Sequence, residues 1–66
     1  MRYREKKTAA GHLVLDIDVD DREEKIYCVV VLAIYSTRER QGDYKTYYFA
    51  TLKAANKKFD ALRDKI

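Results

Sequence analysis

Residues 13–35, LVLDIDVDDREEKIYCVVVLAIY, decide the fold. Up to residue 19, leucine, isoleucine and valine alternate with acidic side chains, a period of two that predicts a strand with one apolar face. Residues 21–24 are polar and predict a turn. From Ile26 to Tyr35 nearly every side chain is β-branched, aliphatic or aromatic, which predicts a central strand that is apolar on both faces.

The register of this hairpin follows from the same alternation. Pairing Asp20 with Lys25 places Ile17 opposite Cys28 and sets apolar residues against each other on one face. A shift by one residue would put the acids into the core, so the pairing is strongly specified. The predicted inner face then contains Leu13, Leu15, Ile17, Val19, Ile26, Cys28, Val30, Leu32, Ile34, Tyr47 and Phe49.

The rest of the chain supplies a third strand and a helix. A polar loop leads to the predicted strand Tyr44 to Phe49, and pairing Tyr35 with Tyr44 sets Val30 opposite Phe49. Thr51 can cap a helix, and an apolar stripe at steps of three and four residues runs from there to the end of the chain. We therefore predict an α+β fold, β-β-β-α, in which a three-stranded antiparallel meander carries one C-terminal helix on one face.

Length and composition limit the function. Sixty-six residues make one small domain, with residues 11–66 as its body and residues 1–10 as a basic tail or short extra strand. One cysteine and one histidine exclude an intramolecular disulfide and a four-ligand zinc site. A chain of this size buries only about 60% of its unfolded surface, so such domains depend on a good core or on a partner.

The outer sheet face is the predicted functional surface. Its predicted contact residues are Tyr27, Val29, Val31, Tyr35, Tyr44 and Tyr48, with Val14 beside them. The helix covers the other face, and apolar patches of this extent mark interaction sites, where tyrosine is favoured. The sequence thus predicts a non-catalytic domain that forms a homodimer or binds another protein. The alternative is that large strand residues only satisfy β-propensity.

Nucleic-acid binding is the main alternative function. The charge is +3 overall but is divided: residues 1–10 carry four bases and one acid, residues 11–24 one base and six acids, and residues 25–66 nine bases and four acids. A basic arm and the second hairpin could contact phosphates. The candidate residues for this function are Arg2, Arg4, Lys6, Lys7, Arg38, Arg40 and Lys45.

The junction Phe49-Ala50-Thr51, followed by a helix with Ala55, resembles the arm-type DNA-binding domains of some mobile-element integrases. The resemblance covers residues 44–59 and implies a sheet that reads the major groove, whereas the acidic first strand departs from that pattern. By size and charge the chain is also similar to short phage and mobile-element proteins. We carry over no functional residues from either group.

The sequence does not predict catalysis, a cofactor or a small-molecule substrate. The acids at residues 16, 18, 20 and 21 resemble a calcium loop but lack its glycine and its final glutamate, so we interpret them as charges that protect an edge strand. His12 has no catalytic partner in the sequence pattern, and Cys28 is predicted to be buried. Neither a signal peptide nor a membrane span is predicted, and the single cysteine favours the cytoplasm.

Overall fold

The computed structural model of the chain describes residues 1–22, 25–35 and 42–66. These residues form one antiparallel sheet, in the order β1-β2-β3-β4, and one helix. The elements are β1 (Arg2–Lys7), β2 (Gly11–Val19), β3 (Ile26–Ile34), β4 (Asp43–Phe49) and α1 (Leu52–Arg63). The α+β class and the C-terminal helix are confirmed, whereas the predicted count of three strands is wrong because residues 2–7 form a fourth.

Strand β1 extends the sheet beyond β2. It runs antiparallel to β2 and pairs Lys6 with Leu13, with an irregularity between Arg2 and Arg4. Met1 prolongs the pairing, since its carbonyl accepts from the Ile17 amide at 2.8 Å. The N-terminal segment therefore lies in the plane of the sheet, as its edge strand, and does not cross the outer face.

The predicted register of the first hairpin is confirmed. Ile17 pairs with Cys28, and Leu15 pairs with Val30. The amide of Asp20 donates to the Lys25 carbonyl at 3.0 Å, which closes the hairpin. The alternation of apolar and acidic residues was sufficient to predict this register. A shift by one residue turns every side chain to the other face and would put the acids into the core.

The predicted register of the second hairpin is wrong by two residues. Phe49 lies opposite Cys28 rather than opposite Val30, and Ile34 pairs with Asp43. A shift of two preserves parity, so Phe49 still lies on the helix side as predicted. Gly42 permits this register, since a Cβ atom there would lie 2.0 Å from the Ile34 carbonyl oxygen. The loop at residues 36–41 lies outside the described residues.

The core lies between the inner sheet face and α1. Its buried members are Leu13, Leu15, Cys28, Val30, Leu32, Ala55, Phe59 and Leu62, with Ile17, Tyr47, Phe49, Leu52 and Ile66 packed at its margin. Thr51 caps the helix as predicted, accepting from the Ala54 amide at 3.2 Å. The helix ends at Arg63 rather than continuing to residue 66.

Three residues predicted for the inner face lie outside the core. Val19 is 46% exposed, Ile26 is 65% exposed and Ile34 is 36% exposed. The helix has 12 residues and spans roughly 18 Å, whereas the nine-residue strands below it span roughly 30 Å. The helix is therefore too short to cover both ends of the central strands.

Side chains from β1 hold the helix on one flank. The Arg4 guanidinium lies 4.2 Å from the centre of the Phe59 ring and also contacts Asn56 at 3.1 Å and Asp60 at 3.0 Å. Lys6 Nζ donates to the carbonyl oxygens of the last helical turn and the chain end, at Arg63 and Ile66. Two basic residues of the predicted tail are thus structural contacts of α1.

Candidate protein-interaction surface

The outer face, which is the sheet face opposite α1, changes character from β1 to β4. Strand pairing arranges its residues in rows that run across the sheet from β1, which is highly charged, to β4. The three complete rows are Arg2–Asp16–Val29–Tyr48, Glu5–Val14–Val31–Thr46 and Lys7–His12–Ala33–Tyr44. The face therefore has a charged half over β1 and β2, and a half over β3 and β4 that we call the tyrosine half.

The charged half is held by linked ion pairs. Arg2 lies 2.9 Å from the Glu5 carboxylate and 3.6 Å from Asp16. The Glu5 carboxylate also contacts His12 Nε2. The hydrogen bond with His12 and the nearby charge of Arg2 lower the pKa of the Glu5 carboxyl group, because both favour its ionised form. Sequence reasoning missed this partner of His12 because it requires β1 to pair with β2.

Val14 is buried in the structure, although it was predicted beside the exposed patch. Only 6% of its surface is accessible. It lies in the middle of the charged half, between Glu5 on β1 and Val31 on β3. The added strand supplies neighbours that a three-stranded sheet would lack, and so Val14 does not belong to the candidate surface.

The tyrosine half contains the six predicted contact residues. Tyr44 is 72% exposed and Tyr48 is 71% exposed, while Tyr27, Val29 and Val31 are half-buried. Tyr35 directly follows β3 and is also exposed, and its amide donates to the Ala10 carbonyl at 2.9 Å. The tyrosine half is thus a continuous aromatic and aliphatic surface over two paired strands.

The rings of Tyr27 and Tyr48 are brought together at one end of this surface. Their centres lie 6.4 Å apart, and the ring planes are tilted by 47°. Partial loss of hydration and the neighbouring Asp18 carboxylate raise the pKa of the Tyr27 hydroxyl, since both disfavour the phenolate. The Tyr27 hydroxyl also donates to the Asp18 carboxylate, which further favours its neutral form.

An open hollow lies beside this ring pair. Its volume is about 450 Å³, and it is lined by Tyr27, Tyr48, Phe49 and Ala50. The lining is almost wholly apolar, so the hollow suits an apolar side chain of a bound protein better than a charged ligand. The sequence prediction did not include Phe49 and Ala50 because they lie at the strand end, where β4 turns toward α1.

The described residues of the nucleic-acid alternative are not gathered at one site. Arg2, Arg4 and Lys6 have partners within the domain, and Lys7 is exposed on β1. Lys45 lies on β4 opposite Leu32, on the helix side of the sheet. Arg38 and Arg40 lie outside the described residues.

The acidic residues of β2 were predicted to protect an edge strand, and this prediction is wrong. Strand β2 lies between β1 and β3, and β1 is the charged edge. Asp16 lies beside Arg2, and the Asp18 side chain accepts from the Val19 amide. Asp20 accepts from the Arg22 amide at 3.1 Å in the turn. Within residues 1–22, 25–35 and 42–66, no group of three or more potential ligands could hold a metal ion.

No protein-family model, curated protein or solved structure was found to be similar to this chain. The resemblance of residues 44–59 to integrase arm domains thus gains no support from these comparisons. Across the described parts of the chain, no helix is long and apolar enough to cross a membrane. Because the comparisons identify no similar protein, a functional proposal rests on the geometry of the outer face.

Proposed function

We propose that this domain is a non-catalytic protein-interaction module, and that a second copy of the chain covers its tyrosine half. The observation that carries this proposal is the contiguity of the exposed aromatic and aliphatic residues on β3 and β4. The helix packs on the opposite face, and the N-terminal segment lies in the plane of the sheet. Neither element covers these side chains.

A second copy is the favoured occupant because the face is self-complementary. When two outer faces meet across a two-fold axis near Val31, tyrosine and valine side chains pack against each other and the charged halves remain at the rim. Protein interfaces have this distribution, with an apolar, aromatic centre and a polar border. The hollow beside Tyr27 and Tyr48 can then receive a side chain from the other copy.

The test is the association state of the purified chain, measured by sedimentation or light scattering at micromolar concentration. We expect the wild type to dimerise. Val31→Lys and Tyr48→Glu should each weaken association by at least about tenfold while circular dichroism stays unchanged, because each places a charge within the interface. Tyr48 is largely exposed in the single chain, so its substitution should leave the fold intact.

Lys7→Glu is the matched control. It lies on the outer face but within the charged half, on the edge strand, and should leave association almost unchanged. A folded monomer at all accessible concentrations, or equal weakening by Lys7→Glu and Tyr48→Glu, would contradict the proposal. Binding of a different protein by a monomeric chain would likewise count against self-association.

A further inference from the structure

The two flanks of α1 differ in how they meet the sheet. Toward β1, Arg4 and Lys6 fasten the helix through the contacts given above. Toward β4, the described residues show apolar packing and a cation–π contact, in which Lys58 Nζ lies 4.4 Å from the centre of the Tyr47 ring. Between α1 and β4 the structure therefore leaves a groove, which we call the lysine groove.

The floor of the lysine groove is apolar. One part, of about 330 Å³, is lined by Phe49, Ala54, Ala61, Lys57 and Lys58. Ala54 and Ala61 lie on one helix face, seven residues apart, and both are exposed. Small side chains on the helix and a half-buried phenylalanine on the strand thus leave room for apolar side chains of a ligand.

The rim of the groove is basic. Lys57 and Lys58 line one part, and Lys45 and Lys65 line a neighbouring depression toward the other end of β4. Among the residues that the structure describes, none of these lysines forms an ion pair. The described lining contains a single acid, Asp43. The groove is therefore complementary to a ligand that is both acidic and partly apolar.

The wall of the groove is the free edge of the sheet. Strand β4 is the last strand, and no other described strand pairs with its outer side. The opposite edge, β1, is irregular and carries five charged residues, features that discourage further pairing. Strand β4 has neither an irregularity in its pairing with β3 nor a proline. Its backbone groups can accept an additional strand.

We propose that the lysine groove binds an extended acidic segment of another protein as a fifth strand beside β4. Its backbone pairs with β4, and its side chains at every second position face the helix side. There, apolar side chains lie over Phe49 and Ala61 and carboxylates meet the lysines. The apolar floor and the lysines lie on the helix side, so they do not belong to the tyrosine half, although both sites use β4. A free strand edge and an apolar floor favour a peptide over a nucleic acid, which would use the lysines alone.

A fluorescein-labelled peptide tests the proposal, with its fluorescence anisotropy on addition of the full chain as the readout. Every second residue of the peptide is serine, and valine and glutamate take turns at the positions between, so that both face the helix side. We expect binding by the wild type and a loss of about tenfold in affinity for the double variant Lys57→Glu/Lys58→Glu. Ala61→Glu, which fills the groove without touching the core, should also weaken binding. A peptide in which lysine replaces glutamate should not bind.

The matched control changes the same total charge elsewhere, through Lys7→Glu/Lys25→Glu. Lys7 is exposed on β1, at the opposite edge of the sheet, and Lys25 is exposed just before β3. This control should retain nearly wild-type affinity, and Tyr48→Glu should do so as well. Amide shifts in NMR spectra should cluster in β4 and α1.

Equal losses in both double variants would overturn the proposal by revealing a general charge effect. The same holds if the peptide does not bind, if shifts cluster on the outer face, or if a single-stranded oligonucleotide binds the groove more tightly than the peptide.

Discussion

Glu5 is the residue that links the charged half of the outer face. Its carboxylate meets Arg2 on the same strand and His12 on the neighbouring strand. Sequence reasoning treated residues 1–10 by their net charge and His12 as an isolated histidine. Pairing of β1 with β2 brings their opposite charges together, so individual residues acquire roles that the net charge of a segment does not reveal.

The contacts of Glu5 predict that the free energy of unfolding depends on pH. The pKa of Glu5 is lowered from the 4.5 of a free side chain, so folding favours its ionised form. The resulting stabilisation is present above pH 4.5 and is lost as pH falls through the lowered pKa of the folded state. We expect Glu5→Gln to lose less stability than the wild type on acidification through this window, as measured by urea unfolding.

A double-mutant cycle of Glu5 and His12 isolates the contribution of their contact to the pH dependence of stability. His12→Gln should reduce the loss of stability at low pH only in part, because Arg2 still lowers the pKa of Glu5. Adding His12→Gln to Glu5→Gln should reduce it no further. Parallel acid limbs for the wild type and Glu5→Gln would show that the contact contributes nothing to stability.

At the scale of elements, β1 has a dual role. It covers the side of β2 that would otherwise be a sheet edge, and its helix-facing side chains fix the position of α1. Because α1 is held toward β1, the inner side of β4 stays partly open. The lysine groove is therefore a consequence of where β1 anchors the helix.

Arg4→Ala tests the anchoring role. Arg4 stacks on Phe59 and pairs with Asp60, so its removal should destabilise the fold by about 1–2 kcal/mol, measured by urea unfolding. Lys7→Ala is the control, because Lys7 lies on the same strand but is exposed; it should change stability by less than about 0.5 kcal/mol. Equal effects of the two substitutions would argue against a specific anchor.

In the molecule as a whole, the sheet has two apolar regions, and α1 covers part of one of them. The helix covers the middle of the inner face, and the tyrosine half stays exposed in the single chain. Among the described elements, α1 packs on the inner face and β1 lies in the plane of the sheet, so neither covers the tyrosine half. Under the proposed dimerisation, burial between two copies supplies part of the stability of each.

Dimerisation predicts that thermal stability depends on protein concentration. A tenfold increase in concentration adds about 0.7 kcal/mol per chain to a dimer that unfolds to monomers. For a domain of this size, Tm should rise by about 3–5 °C in scanning calorimetry. The Tm of Val31→Lys should depend less on concentration, because its association is weaker. A wild-type Tm that stays constant over that range would be incompatible with the dimer.

The faces of β2, β3 and β4, the first hairpin register and the buried stripe of α1 could be predicted from the amino-acid sequence alone. These follow from local periodicity: a period of two assigns each strand residue to a face, and steps of three and four assign a helix face. Cys28, Phe49 and Phe59 therefore lie on the predicted sides. The six tyrosine-half residues could be selected for the same reason.

Three features depend on contacts between distant parts of the chain: the pairing of β1, the offset of β4 and the flank on which α1 is held. Strand β1 has no apolar alternation, and its partners Asn56 and Asp60 lie more than fifty residues away in the chain. The offset of β4 depends on the close approach of Gly42 to Ile34, since parity alone permits shifts of two. Periodicity distinguishes faces, whereas contacts between distant residues determine which strands are neighbours and which surfaces stay open.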